Sequence, residues 1–253
     1  MKWKRGTPVT ARCFIVGDIH ACPQELEALL AALYLQREDR LVYLGDYVDR
    51  GPGAREVVDL LLELKAAAVC ELTFLKGNHE DMFLDFMGYN GHYGEAFLFN
   101  GGSATLQSYD LPQTLQGREV AAMLPPAHLE FLLDLKILYP VGETLCVHAG
   151  VSPLKSLEEQ SEEELLWIRQ EFILHPHALP YTVVFGHTPQ REVFFDLPYK
   201  VGIDTGLVYG GKLSCLEVTE KKLFQVARGS RKVKVTDVAS RWREVAARVR
   251  PSR

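Results

Sequence analysis

The sequence has no run of about 18 apolar residues, the length a helix needs to cross a bilayer, so nothing in it reads as a membrane span. Cysteine is scarce. Cys13, Cys22, Cys70, Cys146 and Cys215 are scattered singly with no CxxC pair, which excludes a zinc ribbon and offers no disulfide framework. The opening MKWKRGTPVTARC carries positive charge but no apolar stretch of signal-peptide length after it, so a cytoplasmic protein with reduced thiols is expected. Net charge is only −5, which gives no general reason to expect nucleic acid or a membrane surface as a partner. Internal repeats and low-complexity segments are absent too. What the chain does have is length and apolar content: 253 residues, 47% of them hydrophobic, enough for a sizeable core.

The first half alternates β-rich runs with helical patterns. RCFIVGDIH, RLVYLGDYVDRG and CELTFLKGNHE read as strands ending in polar loops. CPQELEALLAALYLQ, GAREVVDLLLELKAA and DMFLDFM read as the helices between and after them. This βαβαβα order implies parallel strands with helices on the sheet faces. Residues 89–116, rich in Gly, Asn and Tyr, read as an insertion lying over the site. A helical segment follows at about 117–135, then the strand pair KILYPV and ETLCVHAG. SEEELLWIRQEFIL reads as one helix with Ser161 and Glu164 forming a capping box. YTVVFGH, EVFFDL, YKVGID, KLSCLEV and KLFQVA are further strands. A catalytic domain over residues 1–228 is therefore expected. A basic tail at 229–253 would follow, as an amphipathic helix or a loosely attached segment; it holds eight Lys or Arg against two acids.

Three successive strands end in GDIH, GDYVDRG and GNHE, and two later ones in VHAG and VFGH. Ligands bind at the carboxyl ends of strands in such sheets, so these five loops can converge on one place. Together they supply Asp18, His20, Asp46, Asp49, Arg50, Asn78, His79, His148 and His187. Carboxylate, imidazole and amide oxygen form a donor set for divalent metals of intermediate hardness. Asp18 and His20, two apart on an extended chain, point the same way and suit one ion. Asp46 can bridge that ion to a second, whose shell Asn78, His148 and His187 complete. Two ions about 3.5 to 4 Å apart lower the pKa of a bridging water and clamp the oxygens of an in-line phosphoryl displacement. The planar fork of Arg50 matches two phosphoryl oxygens. His79 diverges from its neighbour Asn78 and suits a general acid, with Asp49 fixing its tautomer and raising its pKa. Glu80 reads only as an acid at the start of a helix. His175 and His177 read as solvated loop residues, and His128 as part of a polar helix start.

GDIH, GDYVDRG, GNHE, HAG and GHT in that order resemble the metallophosphoesterases, specifically the phosphoprotein phosphatase family. That family includes serine/threonine phosphatases, bacteriophage lambda phosphatase and symmetrical diadenosine tetraphosphatase. The likeness runs from about Cys13 to Val218. FNGGSATLQSY, LWIRQEF and IDTGLVYGGKLSCLEV are similar to stretches of its bacterial members. The resemblance implies an α/β fold, a four-layer α/β-β-α sandwich of the calcineurin-like metallophosphoesterase type. It also implies a dinuclear centre, often manganese, with Asp18 and His20 on the first ion, Asp46 between, and Asn78, His148 and His187 on the second. His79 with Asp49 would be the general acid and Arg50 a phosphate ligand. Arg169, unremarkable by pattern on a helix surface, becomes a second phosphate-binding arginine. Iron, zinc, nickel or cobalt would also accept this ligand mixture.

The expected activity is hydrolysis of phosphoserine or phosphothreonine monoesters by a metal-bridging hydroxide, because tyrosine and Asp49 in GDYVDRG resemble protein phosphatases. The alternative is a symmetrical diadenosine tetraphosphate hydrolase, in which the 89–116 segment, with His92, could cradle a base. The expected partner is a phosphoprotein or small phosphorylated substrate, with no nucleic acid or membrane; the oligomeric state is left open.

Overall fold

A computed structural model describes residues 11–115 and 117–243. The run CFIV suits a strand buried on both faces, and β1 (Cys13–Val16) is one. β2 (Arg40–Tyr43) and β3 (Glu71–Phe74) lie parallel to it, joined by α1 (Pro23–Leu33) and α2 (Ala54–Ala67). α3 (Asn78–Phe86) follows with Gly77 as its N-cap, so most of GNHE is a first helical turn rather than a loop. Residues 89–115 hold a 3-10 turn at Gly94–Ala96, a π-helical turn at Leu98–Gly102 and α4 (Ser103–Ser108).

The single helix expected at 117–135 is two, α5 (Arg118–Met123) and α6 (Pro126–Leu133). Pro125 turns Leu124 to the extended backbone that ends α5, and Pro126 does the same to Pro125. β4 (Leu138–Val141) and β5 (Thr144–Val147) form an antiparallel pair. The helix expected over SEEELLWIRQEFIL also divides, into α7 (Glu162–Trp167) and α8 (Gln170–Leu174), although the capping box of Ser161 and Glu164 forms as expected. Ile168 is extended between them (φ −60°, ψ 141°). The remaining strands are β6 (Thr182–Phe185), β7 (Phe194–Asp196), β8 (Lys200–Gly202), β9 (Lys212–Glu217), β10 (Lys222–Ala227) and β11 (Val233–Asp237).

The strands make two mixed sheets, ordered β11-β10-β9-β1-β2-β3 and β4-β5-β6-β8-β7. Side-chain alternation sets the layers. On β1, Cys13 and Ile15 face a core shared with Cys146 of β5, Val184 of β6 and Val201 of β8, so this core lies between the sheets. Phe14 and Val16 face the other way, onto Leu26 and Leu29 of α1, Val57 and Leu61 of α2 and Phe83 of α3. On β5, Leu145 and Val147 turn outward onto Leu165 of α7 and Phe172 of α8. The result is the four-layer helix, sheet, sheet, helix sandwich.

The first sheet continues past residue 228, where the catalytic domain was expected to end: β11 pairs with β10 over five positions, from Lys222↔Asp237 to Val226↔Val233. The valine–lysine alternation of VKV is a strand pattern that a count of basic charge conceals. Val238 is buried, and Trp242 packs edge-on against Phe195 at 5.8 Å. The end of the expected tail, 244–253, lies outside the described residues. Among the described residues no helix is long and apolar enough to cross a membrane. All five cysteines are free thiols, three of them inside β1, β5 and β9.

Candidate active site

The loop after β1 carries Asp18 and His20, and the loop after β2 carries Asp46, Asp49 and Arg50. The first turn of α3 supplies Asn78 and His79, and the loops after β5 and β6 supply His148 and His187. All are buried except Arg50, which is half-buried. Five of them, His20, Asp46, Asp49, Arg50 and His187, have left-handed φ angles of 45° to 69°. Each such conformation costs roughly 1–3 kcal/mol and persists only where its surroundings enforce it.

Glu80 is one enforcer. Its fully buried carboxylate accepts the amide hydrogens of Asp46 (2.9 Å), Tyr47 (2.8 Å), Val48 (3.2 Å) and Gly77 (2.9 Å), holding the loop after β2 against the start of α3. It does far more than begin a helix. Burial, followed by the field of Asp46, pushes its carboxyl up to about 8.

Asp46 is the hub. Its Oδ2 lies 3.4 Å from His20 Nε2, its Oδ1 lies 3.4 Å from His148 Nε2, and Oδ1 also accepts the His79 amide hydrogen at 3.1 Å. Two groups of donor atoms, each within 4.8 Å of one another, share it: His20, Asp46 and His79, and Asp46, His148 and His187. Asn78 Oδ1 joins the second group, 3.0 Å from His148 Nε2 and 2.8 Å from His187 Nδ1. Asp18 stands to one side, its carboxylate accepting the His187 amide hydrogen at 3.0 Å. The extended-chain premise that paired Asp18 with His20 does not hold, since His20 and Ala21 turn the chain with φ of 45° and 54°. Gly186 makes room for Asp18: a Cβ there would sit 2.1 Å from Asp18 Oδ1.

On the other flank, His79 Nδ1 donates to Asp49 Oδ2 at 2.7 Å, leaving Nε2 as the available ring nitrogen. Burial lowers His79 to about 4 against the upward pull of Asp46, so the raised value expected from Asp49 is not found. A phosphoryl group entering beside the ring would act in the opposite direction. Arg50 Nη1 donates to His20 Nε2 at 2.6 Å, and its guanidinium lies 5.5 Å over the Tyr209 ring. Arg169 sits at the break between α7 and α8, exposed, with Nη1 donating to the His187 carbonyl at 3.3 Å. That break, and not a helix surface, aims it at the site.

Residues 11–205 match the calcineurin-like phosphoesterase family. The chain belongs to that family. The chain is 28% identical to an asymmetrical bis(5'-nucleosyl)-tetraphosphatase, PrpE, of Bacillus mycoides, covering 84% of this chain and 92% of that one. It is 29% identical to serine/threonine-protein phosphatase 1 of Salmonella typhimurium, covering 81% and 91%. A solved structure described as a candidate diadenosine tetraphosphatase superposes with a TM-score of 0.66 at 27% identity, over 87% of this chain and 95% of that one.

Calcineurin-like phosphoesterases use divalent metal ions, and the residues here fit them. His20 and His148 donate their Nδ1 hydrogens to the carbonyls of Val48 and Leu44 at 3.0 and 2.8 Å, so each turns an Nε2 lone pair inward. Burial lowers His20 to about 3 and also lowers His148 and His187, keeping all three neutral, the form that ligates. His148 Nε2 thus faces the Asn78 oxygen lone pair to lone pair, a juxtaposition that a cation reconciles, and His187 Nε2 is buried without a hydrogen-bond partner. Burial, then Asp204 and Asp46, pushes Asp18 well above the ordinary carboxylate range. Buried carboxylates so crowded call for a cation.

Sequence alone assigns Glu80 no more than a helix start, and assigns Asp204 and Thr105 no role. Asp204, after β8, is buried, and its Oδ1 accepts the Gly206 amide hydrogen at 2.9 Å. His92 Nδ1 bonds Asp81 Oδ2 at 2.8 Å. His177 is not a solvated loop residue: it is buried, stacked on Phe172, with Nε2 on the Tyr199 carbonyl at 2.8 Å. His128 is buried between the Tyr109 hydroxyl and Asp59, 2.9 Å from each.

Proposed function

We propose that this phosphatase hydrolyses phosphoserine and phosphothreonine monoesters with two divalent ions, manganese foremost, the two sharing Asp46. Asp18 and His20 would complete the first ion's protein ligands, and Asn78, His148 and His187 the second's. The ions would supply Lewis acidity and a nucleophilic water of lowered pKa. Arg50 and Arg169 orient the phosphoryl group by charge-assisted hydrogen bonds, which fixes the scissile bond in line. His79, its Nδ1 hydrogen held by Asp49 and its second proton taken up beside the bound phosphoryl group, gives that Nε2 proton of the imidazolium to the departing oxygen.

One observation carries the choice of ester: the buried His79–Asp49 pair at 2.7 Å. A serine or threonine alkoxide is a strongly basic leaving group and gains most from a positioned proton donor, whereas a nucleoside phosphate departs as a weakly basic anion. The second reading, a dinucleoside tetraphosphatase, is favoured by the likeness to PrpE and to the candidate diadenosine tetraphosphatase. Comparing kcat/KM for a phosphothreonine peptide and for diadenosine tetraphosphate in manganese decides between them. The ester reading expects the peptide to be preferred, and preference for the dinucleotide overturns it.

A further inference from the structure

Asp49 is fully buried, and only one of its carboxylate oxygens meets His79. The other end of the residue is gripped by Thr105, fully buried in α4 and 56 positions away in the chain. The Thr105 hydroxyl has a single hydrogen, which it donates to Asp49 Oδ1 at 2.5 Å; its oxygen in turn accepts the Asp49 amide hydrogen at 2.9 Å. Just upstream, the Gly101 carbonyl accepts the Arg50 amide hydrogen at 3.2 Å. Gly101 has φ 106°, and a Cβ there would lie 2.7 Å from Arg50 N, so this approach needs glycine. Residues 101–105 thus brace two adjacent residues, Asp49 and Arg50, whose φ angles of 68° and 69° are both left-handed.

We propose that Thr105 is a positioning residue for proton donation. Its hydroxyl holds the Asp49 carboxylate so that Oδ2 faces His79 Nδ1, and thereby fixes the ring with Nε2 turned toward the departing oxygen. The rotation of a carboxylate about its terminal torsion is broad and nearly two-fold, so without a partner for Oδ1 nothing else described fixes its plane. Deleting the hydroxyl leaves two buried groups of one residue, Oδ1 and the amide hydrogen, without partners, and the carboxylate turns to recover them. The inference rests on His79 as the proton donor but not on which phosphate compound is the substrate.

The test uses the full chain in manganese with two aryl phosphates that differ in leaving-group basicity, p-nitrophenyl phosphate and phenyl phosphate. Thr105→Val keeps the shape and removes the hydroxyl. It should lower kcat on phenyl phosphate ~tenfold more than on p-nitrophenyl phosphate, because only the poorer leaving group depends strongly on the proton. Thr105→Ser should restore both substrates to within about threefold of the parent, since it returns the hydroxyl. Added to His79→Asn, Thr105→Val should cause no further leaving-group dependence, as expected of residues acting through one another. Equal losses on both substrates, or no rescue by serine, overturn the proposal. If His79→Asn shows the leaving-group dependence and Thr105→Val does not, Thr105 alone loses its role. If His79→Asn shows none, the proton-donor reading falls and the role of Thr105 falls with it. Should the valine variant not fold, Thr105→Ala supplies the same comparison.

Discussion

Asn78 and His79 are consecutive in the chain yet serve opposite flanks of the site: Asn78 Oδ1 meets His148 and His187 at 3.0 and 2.8 Å, while His79 Nδ1 meets Asp49 at 2.7 Å. Both lie in the first turn of α3, where successive residues point about 100° apart. The helix start therefore gives the proposed division of roles, metal for Asn78 and proton transfer for His79, a geometric basis within one dipeptide.

The division predicts that His79→Asn lowers kcat by about 10²–10⁴-fold while bound metal stays the same. Steady-state kinetics beside elemental analysis checks this. His79 lies within one group of donor atoms with His20 and Asp46, so a variant that loses metal together with activity would make it a ligand instead.

Glu80 makes a stability prediction. Its carboxylate accepts four amide hydrogens, and Glu80→Gln would turn an NH2 group toward some of them. A loss of about 2–3 kcal/mol is expected, read as a lower urea midpoint. kcat should fall as well, because Asp46 and its left-handed backbone lose their brace. An unchanged midpoint would show that the loop after β2 is held by other contacts.

The two arginines should differ. Arg169→Ala removes one charge-assisted contact to phosphate and should cut kcat/KM by about tenfold or more with metal affinity unaltered. Arg50→Ala should weaken substrate similarly but tighten the first ion, since Arg50 Nη1 engages the His20 Nε2 lone pair that an ion requires. Manganese titration of each variant by calorimetry separates the cases, and weaker manganese binding by Arg50→Ala would contradict this.

Much of the site was legible because each strand announces its end. An apolar run that stops at GD, GN, GH or, after β5, at HAG marks where polar side chains emerge, and the strand order brings these five ends to one edge of the sandwich. What was not legible depended on partners distant in sequence or on breaks in periodicity. Glu80 looks like a helix-start acid until the amides of the preceding loop are seen around it. Thr105 belongs to a segment without periodicity, and its only distinctive property is a contact 56 residues away. Arg169 continues an unbroken helical pattern, and only the extended backbone at Ile168 turns it to the site. The strand β11 was hidden by its charge, which composition weighs and hydrogen bonding ignores.

Metal stoichiometry tests the dinuclear reading most directly. Elemental analysis of the parent protein and of Asp46→Asn, each loaded with manganese and desalted, should find two ions per chain in the parent and fewer in the variant, with activity lost in step. Two ions retained by Asp46→Asn, or a single ion in the fully active parent, would contradict a centre built on a shared Asp46.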